Sequence, residues 1–554
     1  MPYKSDFPPV PLADRSYGEI AIEALWKYAV ESPNKPAMVD VEDPSKFVTY
    51  RDLYVNSLSV ASFLDQINFR HGDVACLVLP NCFEFYAIFN VCLLISFVQF
   101  LCVRLVELER QFEDCKCSIV FCSDGCLKKV LIAAKKRKHI KHIIVASETI
   151  VNTLSLPSGV VHINKVFSCQ PNMQREGVDI DLKRDVLLLP YSSGTTGPPK
   201  GVMISHQNFG TMMNIYNSHK ETYVYPYISK DFKGTDDVGL CISPFYHMAG
   251  FYSLCNGLLS GATNVVFQRY EPNNFCRAIQ DYKVRFLKAV PPILVFLSKS
   301  PIVDQYDLSS ISIIGTGAAP AGKELCDDLC RRLPCVKHII QGYGMTELTL
   351  ASHLSFISEA CKHGSSGKLA ANAEMMIVDP ETKQEVNQDE RGEIWIRGPT
   401  VMLGYLNRPQ ATAETIDDEG WLHTGDIGYV DEEGFIYIVD RLKELIKVKG
   451  LQVAPAELED LLLSHPLIRD SAVIGVPHDQ DGENPMAFVV RANDSLTEQE
   501  VKDYVKARVA KYKQLHGGVH FINEVPKSPS GKILRRFLRD EAKAMIEAQI
   551  RAKI

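Results

Sequence analysis

The sequence predicts an α/β protein with a large N-terminal domain of helix-covered sheets, a β-rich subdomain and a small α+β C-terminal domain. The length of 554 residues exceeds the roughly 250 to 300 residues at which one hydrophobic core stops growing, so at least two domains are expected. From about residue 70 onward, apolar strand-like runs alternate with helix-length amphipathic stretches, which is typical of parallel sheets covered by helices. After about Arg391, short alternating strands with tight turns replace that pattern.

The last third of the chain predicts the β-rich subdomain and the C-terminal domain. GEIWIRG and GYVDEEGFIYIVD indicate an antiparallel patch with a turn at residues 431–434. Beyond Asp440 the predicted elements are strand KELIKVKG, a helix over residues 455–465, strands DSAVIGVP and AFVVRA, a helix over about 495–510 that starts with a Thr497–Glu500 capping box, and strand GVHFINEVP. We therefore divide the chain into residues 1–440 and 441–554, joined at residues 440–444.

Composition excludes some classes of function. The 60 basic and 67 acidic residues give a net charge of -7, without the basic stripe of a nucleic-acid-binding protein. All 16 cysteines lie at or before Cys361, and the start, MPYKSDFPPVPL, lacks a charged and apolar leader, so we expect reduced thiols. The spacing of Cys115, Cys117, Cys122 and Cys126 lacks the paired knuckles of a zinc site. These cysteines are interpreted as small buried hydrophobic residues, with a metal site as the alternative.

Residues 85–103 form an apolar run without formal charge that approaches the length needed to span a bilayer. Glu84 and Arg104 bracket it, and Asn90 and Gln99 interrupt it. A helix followed by a buried strand explains the run equally well. We expect that buried arrangement and no transmembrane span.

Residues 191–202, YSSGTTGPPKGV, follow the apolar strand DVLLLP and carry the strongest functional signal. The glycines, hydroxyls and Lys200 predict a loop whose N–H and O–H groups surround phosphate oxygens. It is not a Walker A loop, because Lys200 stands between Pro199 and Gly201. A solvated turn is the alternative. The predicted phosphate-binding residues are Ser192, Ser193, Gly194, Thr195, Thr196 and Lys200.

This loop resembles the phosphate-binding signature of the adenylate-forming superfamily, which contains acyl-CoA synthetases, 4-coumarate-CoA ligases and beetle luciferases. The other signatures follow in the family's order: GTGAAPAGKE at 315–324, QGYGMTE at 341–347, HTGD at 423–426, DRLKELIKVKGLQVAPAELE at 440–459 and PKSPSGKILRR at 526–536. The similarity spans nearly the whole chain and is closest to 4-coumarate-CoA ligase-like acyl-CoA synthetases. It implies an ATP-dependent acid:CoA ligase that forms an acyl-adenylate and pyrophosphate, then transfers the acyl group to CoA and releases AMP.

The resemblance also implies roles for individual residues in the first half-reaction. A carboxylate attacks the α-phosphorus of ATP, so negative charge must be screened by Lys200, Lys532, the loop N–H groups and Mg2+. Thr346 would contact the α-phosphate, Glu347 and Thr196 would hold Mg2+, and Asp426 and Arg441 would hold the ribose hydroxyls. The expected adenine pocket is lined by Gly317, Ala318, Ala319, Pro320, Gln341, Gly342 and Tyr343.

For the acyl group and for CoA, the implied residues lie elsewhere. His247, in SPFYHMAGF, is expected near the acyl pocket, where a neutral imidazole can donate to the substrate carboxylate; a structural core histidine is the alternative. The second half-reaction would need rotation of the small domain about Lys443. The rotated domain would present Lys447 and Gln452 to the adenylate and Lys449 and Gly450 to CoA, with Arg269 at the nucleotide end of CoA. Outward-facing charges on an edge strand are the alternative for Lys447 and Lys449.

Two stretches depart from the family pattern. ISFVQFLCVRLVELER replaces the usual small-residue pair and Asn-Pro turn, so the packing of residues 95–110 is not predicted. Leu350 stands where luciferases carry a luciferin-binding serine, and an apolar side chain there suits an alkyl chain or a bare ring. A fatty acid or similar side chain is the expected substrate, ahead of an aryl-propenoate such as 4-coumarate. A luciferase-like oxygenase and an inactive nucleotide-binding homologue are the alternative functions.

The last three residues, Ala552, Lys553 and Ile554, have the small-basic-aliphatic form of a peroxisomal address. They predict delivery to the peroxisomal matrix by the import receptor. A chance lysine-bearing terminus, and a cytoplasmic location, is the alternative. The sequence leaves a homodimer open.

Overall fold

The computed structural model describes residues 2–90, 96–99, 105–146, 156–172, 178–192, 199–319, 321–357, 362, 364–449, 451–478, 480–528 and 531–551, with side chains apart from those of 96–99 and 547–551. Some predicted positions lie outside the described residues: Ser193, Gly194, Thr195, Thr196, Pro320, Gly450 and the C-terminal Ala552, Lys553 and Ile554.

The described α-helices are α1 (Tyr17–Glu31), α2 (Tyr50–Gln66), α3 (Phe83–Phe89), α4 (Leu105–Cys115), α5 (Asp124–Ala134), α6 (Ile163–Phe167), α7 (His206–Tyr223), α8 (Met248–Leu259), α9 (Pro272–Tyr282), α10 (Pro291–Lys299), α11 (Lys323–Arg332), α12 (Pro409–Thr415), α13 (Pro455–Leu463), α14 (Glu498–Lys506) and α15 (Arg535–Arg551).

The described strands are β1 (Tyr3–Lys4), β2 (Pro36–Asp40), β3 (Phe47–Thr49), β4 (Val74–Val78), β5 (Ser96–Gln99), β6 (Ile119–Ser123), β7 (His142–Ala146), β8 (Val160–His162), β9 (Val186–Ser192), β10 (Lys200–Ser205), β11 (Val238–Cys241), β12 (Thr263–Val266), β13 (Phe286–Lys288), β14 (Ile313–Thr316), β15 (His338–Gln341), β16 (His353–Leu354), β17 (Lys368–Leu369), β18 (Glu374–Val378), β19 (Gly392–Arg397), β20 (Gly404–Tyr405), β21 (Leu422–Val430), β22 (Ile436–Arg441), β23 (Ile446–Val448), β24 (Leu451–Val453), β25 (Ile468–His478), β26 (Gly482–Arg491) and β27 (Gly518–Phe521).

The largest sheet has the strand order β20-β10-β9-β5-β4-β6-β7-β8 and is parallel from β9 to β8. Alternate residues of its central strands enter two different hydrophobic cores. Leu77 and Phe121 pack in the core shared with α1 and α2, whereas Cys76 and Val120 pack in the core shared with α4 and α5. A parallel sheet buried on both faces is the predicted architecture, which the structure confirms.

Two smaller sheets lie beside it. One has the order β11-β12-β2-β3, and the other is the parallel sheet β13-β14-β15. In the second sheet Lys288 pairs with Gly315, and Thr316 pairs with Gln341. The carboxyl ends of all three strands therefore meet at one edge, which is where ligands bind in parallel sheets.

The β-rich subdomain is the antiparallel sheet β1-β18-β19-β21-β22. Its β21 and β22 are joined by the predicted turn, in which the N–H of Gly434 donates to the carbonyl of Asp431 at 3.0 Å. β22 extends to Arg441, so Asp440 and Arg441 belong to this sheet.

The C-terminal sheet has the order β24-β23-β26-β25, with β27 paired to β26. Leu458 of α13 and Val501 of α14 pack with Val489 on one face, whereas Leu538 of α15 packs with Phe488 on the other. The Thr497 capping box is present as predicted. α15 was not predicted.

The predicted helix and strand within residues 85–103 are present as α3 and β5, and β5 pairs with β4 and β9. Among the described residues, no helix combines the length and the apolar character needed to cross a membrane. α4 begins within the unpredicted stretch 95–110 and covers its residues 105–110, and Phe112 of this helix packs with Cys115, Cys117 and Cys122. The interpretation of these three cysteines as buried hydrophobic residues is confirmed.

Candidate active site

The phosphate loop begins and ends on an antiparallel pair of strands, because Ser192 of β9 pairs with Lys200 of β10. Ser192 Oγ donates to Glu347 Oε1 at 2.9 Å. Lys200 Nζ lies 4.5 Å from the centroid of the Tyr405 ring, within the range of a cation–π interaction. The hairpin therefore brings Ser192 and Lys200 to Glu347, although they are far apart from it in sequence.

Glu347 has the surroundings of a cation ligand. It lies beside Thr346 in a short 3-10 turn and is only 6% exposed. The hydroxyls of Ser192 and Tyr405 both donate to its Oε1, at 2.9 and 3.1 Å. Within the described part of the chain, no hydrogen bond or ion pair reaches Oε2. A buried carboxylate with one oxygen to spare fits Mg2+, which takes oxygen ligands and would screen the phosphate charge.

Asp426 and Arg441 face each other across β21 and β22. Asp426 is 5% exposed, and its Oδ1 lies 3.1 Å from Arg441 Nε. Tyr343 OH donates to Asp426 Oδ2 at 2.7 Å. Because a carboxylate offers about four lone-pair sites, Asp426 can still accept from a ribose diol while these contacts hold its orientation.

The loops after β14 and β15 lie against each other. A Cβ atom on Gly317 would come within 3.3 Å of the Gly342 carbonyl oxygen, so the close approach favours glycine there. Gln341 does not offer its amide to this space, because its Oε1 accepts from the N–H of Ala321 at 3.1 Å and its Nε2 donates to the Ala321 carbonyl at 2.9 Å. The predicted adenine residues Ala318 and Ala319 are exposed. Gln341 therefore positions the loop that carries them.

Lys532 reaches this site from the C-terminal domain. The Cβ position of its neighbour Gly531 lies 3.4 Å from Pro292 and 3.5 Å from Val290. Burial and then the charge of Arg441 lower the pKa of Lys532 to about 8, although Asp426, Glu347 and Glu444 act in the opposite direction. These interactions require Lys532 to lie among the predicted ribose and magnesium residues.

His247 adjoins Lys532. Its Nδ1 accepts from the N–H of Ala249 at 3.4 Å at the start of α8. Burial, and then the charge of Lys532, lowers the pKa of His247. The ring is therefore neutral at pH 7 with its proton on Nε2, and that N–H can donate to a substrate carboxylate.

The structure does not bring the predicted thioester-forming residues to the same place. Lys447 and Gln452 pair across the β23–β24 hairpin and are exposed. Lys449, at the tip, has φ of 51° and forms an ion pair with Asp481 at 3.1 Å. Lys443 is exposed in the turn after β22, and Arg269 is exposed between β12 and α9. The present domain arrangement therefore places Lys532, and not Lys447 or Gln452, near Asp426 and Glu347.

Sequence reasoning missed two residues of this site. Tyr405 contacts Glu347 because β20 pairs with β10, a long-range pairing that no local pattern signals. Asp440 accepts from the N–H of Ala456 at 2.9 Å, so the end of the subdomain caps α13. Its position at the start of the predicted hinge, three residues before Lys443, could have suggested such a role.

The described sheets bring Lys200, Glu347, Asp426 and Lys532 toward one site, where two lysines and two carboxylates suit a phosphate-bearing ligand and its metal ion. Residues 25–406 match the AMP-binding enzyme family, and residues 457–532 match the AMP-binding enzyme C-terminal domain. The chain belongs to the AMP-binding enzyme family.

Relatives and solved structures agree with this assignment. The chain is 40% identical to a 4-coumarate–CoA ligase of Petroselinum crispum over 502 residues, 89% of this chain and 88% of the relative. It is 40% identical to a 4-coumarate–CoA ligase of Vanilla planifolia, over 93% of both chains. The structure of o-succinylbenzoate CoA synthetase from Bacillus subtilis with its acyl-adenylate superposes with a TM-score of 0.72, 27% identity and coverage of 93% of this chain and 97% of that chain. An anthranilate CoA ligase shares the fold, with a TM-score of 0.84, 24% identity, and coverage of 98% and 99%.

The protein is an AMP-forming acid:CoA ligase that uses ATP, Mg2+ and CoA. This confirms the predicted reaction class and the predicted superfamily. The comparisons name ligases of aromatic acids among the relatives, so the expected fatty-acid substrate stays a prediction.

Proposed function

We propose that the protein activates a fatty acid or an acid with a fatty-acid-like side chain and converts it to the CoA thioester. The observation that carries this proposal is the apolar environment of Leu350. Leu350 lies three residues after Glu347 and packs with Ile215, Ala351 and Leu354. Such surroundings favour burial of methylene groups, at about 0.8 kcal/mol for each one.

An aryl-propenoate such as 4-coumarate is the second candidate. The relatives at 40% identity carry the name 4-coumarate–CoA ligase, and the aromatic rings of Tyr216 and Tyr252, 5.3 Å apart between centroids, could pack against a planar substrate.

The two candidates are separated by a direct assay. Saturated fatty acids of increasing length, 4-coumarate and cinnamate would be incubated with ATP, Mg2+ and CoA, and AMP release and thioester formation would be measured together. The proposal expects kcat/KM to rise with chain length, by about fourfold for each buried methylene. A higher kcat/KM for 4-coumarate than for every fatty acid would contradict it.

The proposal also includes delivery to peroxisomes through Ala552, Lys553 and Ile554, for which the form of the terminus is the support. Deleting these residues should disperse a fluorescently tagged protein into the cytosol and leave ligase activity intact. Unchanged particle-bound fluorescence would show that the terminus is not an address.

A further inference from the structure

Lys288 has an unusual environment for a lysine. It is the last residue of β13 and is half-buried. Its Nζ lies 5.6 Å from the centroid of the Tyr216 ring and 5.8 Å from that of Phe286. Across the described residues, no hydrogen bond or ion pair joins the Lys288 ammonium to an acceptor.

The position of Lys288 connects it to the active site. It pairs with Gly315, so it lies at the carboxyl edge of the sheet, where Gly317 and Gly342 also lie. Two and four residues further along the chain, Val290 and Pro292 contact Gly531, next to Lys532. Lys288 is therefore close in the fold to the loops that position the adenylate.

On the other side, Lys288 faces the elements that carry His247 and Leu350. Tyr216 of α7 packs edge-on against Tyr252 of α8, the helix that His247 caps. Tyr216 and Leu350 pack against the same hydrophobic cluster. Lys288 thus lies between the nucleotide loops and the aromatic and apolar side chains expected to surround the acyl group.

The charge of Lys288 acts on two nearby titratable groups, Cys241 and Lys220. Burial raises the pKa of the Cys241 thiol to about 12, and Lys288 acts in the opposite direction. Burial and then the charge of Lys288 lower the pKa of Lys220 to about 7, although Asp237 and Glu221 act in the opposite direction.

Asp237, one of the two acids that act on Lys220, is hydrogen-bonded within this group. Lys220, 3% exposed, donates to Asn256 and to Tyr225 OH, and Tyr225 OH donates to Asp237 at 3.2 Å. The hydrogen bonds therefore connect Asp237 to Tyr225 and, through Tyr225, to Lys220. The group therefore holds two lysines and two acids, Asp237 and Glu221, and both acids act on Lys220.

We infer that Lys288 binds an anionic group at the end of the acyl substrate remote from the reacting carboxylate, and that the substrate is a dicarboxylic acid of which one carboxylate becomes the thioester. The inference rests on the proposed function and refines its substrate class. The aromatic rings attract the half-buried ammonium but do not accept strong hydrogen bonds from it, and a carboxylate supplied by the substrate would add a charge-assisted hydrogen bond. The apolar side chain at Leu350 suits the methylene chain between the two carboxylates.

The test compares straight-chain dicarboxylic acids with monocarboxylic acids of the same carbon number, in wild-type enzyme, Lys288→Met and Lys337→Met. Lys337 is an exposed lysine at the opposite, amino end of the same sheet, which makes it the matched control. For the best chain length, we expect the dicarboxylic acid to have the higher kcat/KM. Lys288→Met should lower kcat/KM for that acid on the order of 10- to 100-fold and leave the monocarboxylic acid unchanged or improved.

A binding measurement removes the dependence on turnover. The acyl sulfamoyl-adenosine analogues of both acids would be titrated calorimetrically into each protein. The inference is supported if wild-type enzyme binds the dicarboxylate analogue more tightly than the monocarboxylate analogue, if Lys288→Met loses this difference and if Lys337→Met keeps it. Equal loss with both analogues, or no preference in the wild type, overturns it while the ligase assignment to fatty acids stands. If neither acid class supports thioester formation, the proposed function fails and the inference fails with it.

Discussion

At the scale of single residues, Lys532 determines how the site responds to pH. The buried ammonium lies among Arg441, Asp426 and Glu347, with a pKa of about 8. Below that pH the side chain is charged and can screen the departing pyrophosphate, and above it the charge is lost. ATP binding adds negative charge beside Lys532 and favours the protonated form.

We therefore expect kcat/KM for ATP in adenylate formation to be constant below about pH 8 and to fall above it. Lys532→Arg, if it retains activity, should lack this decline because a guanidinium stays protonated. Lys532→Ala should slow pyrophosphate release far more than thioester formation from supplied acyl-adenylate. Both half-reactions would be measured across the pH range, and equal losses in the two would contradict the assigned role.

A second prediction concerns the orientation of Glu347. Tyr405→Phe removes one of the two hydroxyls that donate to Glu347 Oε1, so the carboxylate should hold Mg2+ less well. We expect the Mg2+ concentration for half-maximal adenylation to rise on the order of 10-fold. Tyr437→Phe, which removes a hydroxyl bonded to Asp431 instead, is the control. An unchanged Mg2+ dependence in Tyr405→Phe would show that Glu347 acts without this support.

At the scale of elements, α15 is fixed to the C-terminal sheet by a buried ion pair. Arg535 Nη2 donates to both carboxylate oxygens of Glu459 at 2.7 Å, and Glu459 also accepts from the N–H of Val473 at 2.8 Å. Glu459 is 8% exposed. Removing one partner of such a pair leaves an uncompensated buried charge. The free-energy cost of that charge is larger than the net stabilisation that the intact pair provides.

Arg535→Met should therefore lower the free energy of unfolding of the C-terminal domain by about 3 to 5 kcal/mol. Arg536→Met changes the adjacent, exposed arginine and should have an effect within about 0.5 kcal/mol. The stability of the C-terminal domain in both variants would be measured by chemical denaturation, with limited proteolysis as the readout of its unfolding. Similar losses in the two variants would mean that the Glu459 pair does not carry the stability of α15.

The sequence predicted those helices, strands and turns whose formation depends on residues close together in the chain. The Thr497 capping box, the turn at residues 431–434 and the buried parallel strands all depend on neighbouring residues. α15 had a readable signal too, because Leu538 and Ala542 are four residues apart on one face and both are buried. The contacts of Tyr405 with Glu347 and of Lys288 with Tyr216 depend on pairings across the fold, so a single sequence gives no access to them.

At the scale of the whole molecule, hydrogen bonds and ion pairs hold the residues on either side of Lys443 in this domain arrangement. Asp440 caps α13 through the N–H of Ala456 at 2.9 Å, and Glu444 pairs with Arg539 of α15. Lys299 Nζ, on α10, donates to the carbonyls of Leu463 and Ile468 at 2.9 and 3.3 Å. Rotation of the C-terminal domain about Lys443 would break the contacts that Asp440 and Lys299 make with it, whereas the Glu444–Arg539 pair lies within the domain and can move with it.

The last prediction tests that rotation. Lys532 lies in the site, whereas Lys447 and Gln452 lie exposed on the β23–β24 hairpin of the same domain, so one reacting centre can meet both sets only if the domain turns. Lys443→Pro would fix φ near -65° in the turn after β22 and restrict that motion. We expect first-turnover pyrophosphate release to persist while thioester formation falls on the order of 100-fold, a barrier increase of about 2.7 kcal/mol. Lys443→Ala, which removes the charge and keeps the backbone free, should retain both half-reactions. Normal CoA transfer from isolated acyl-adenylate in Lys443→Pro would exclude rotation at this residue, and with it the roles assigned to Lys447, Lys449 and Gln452.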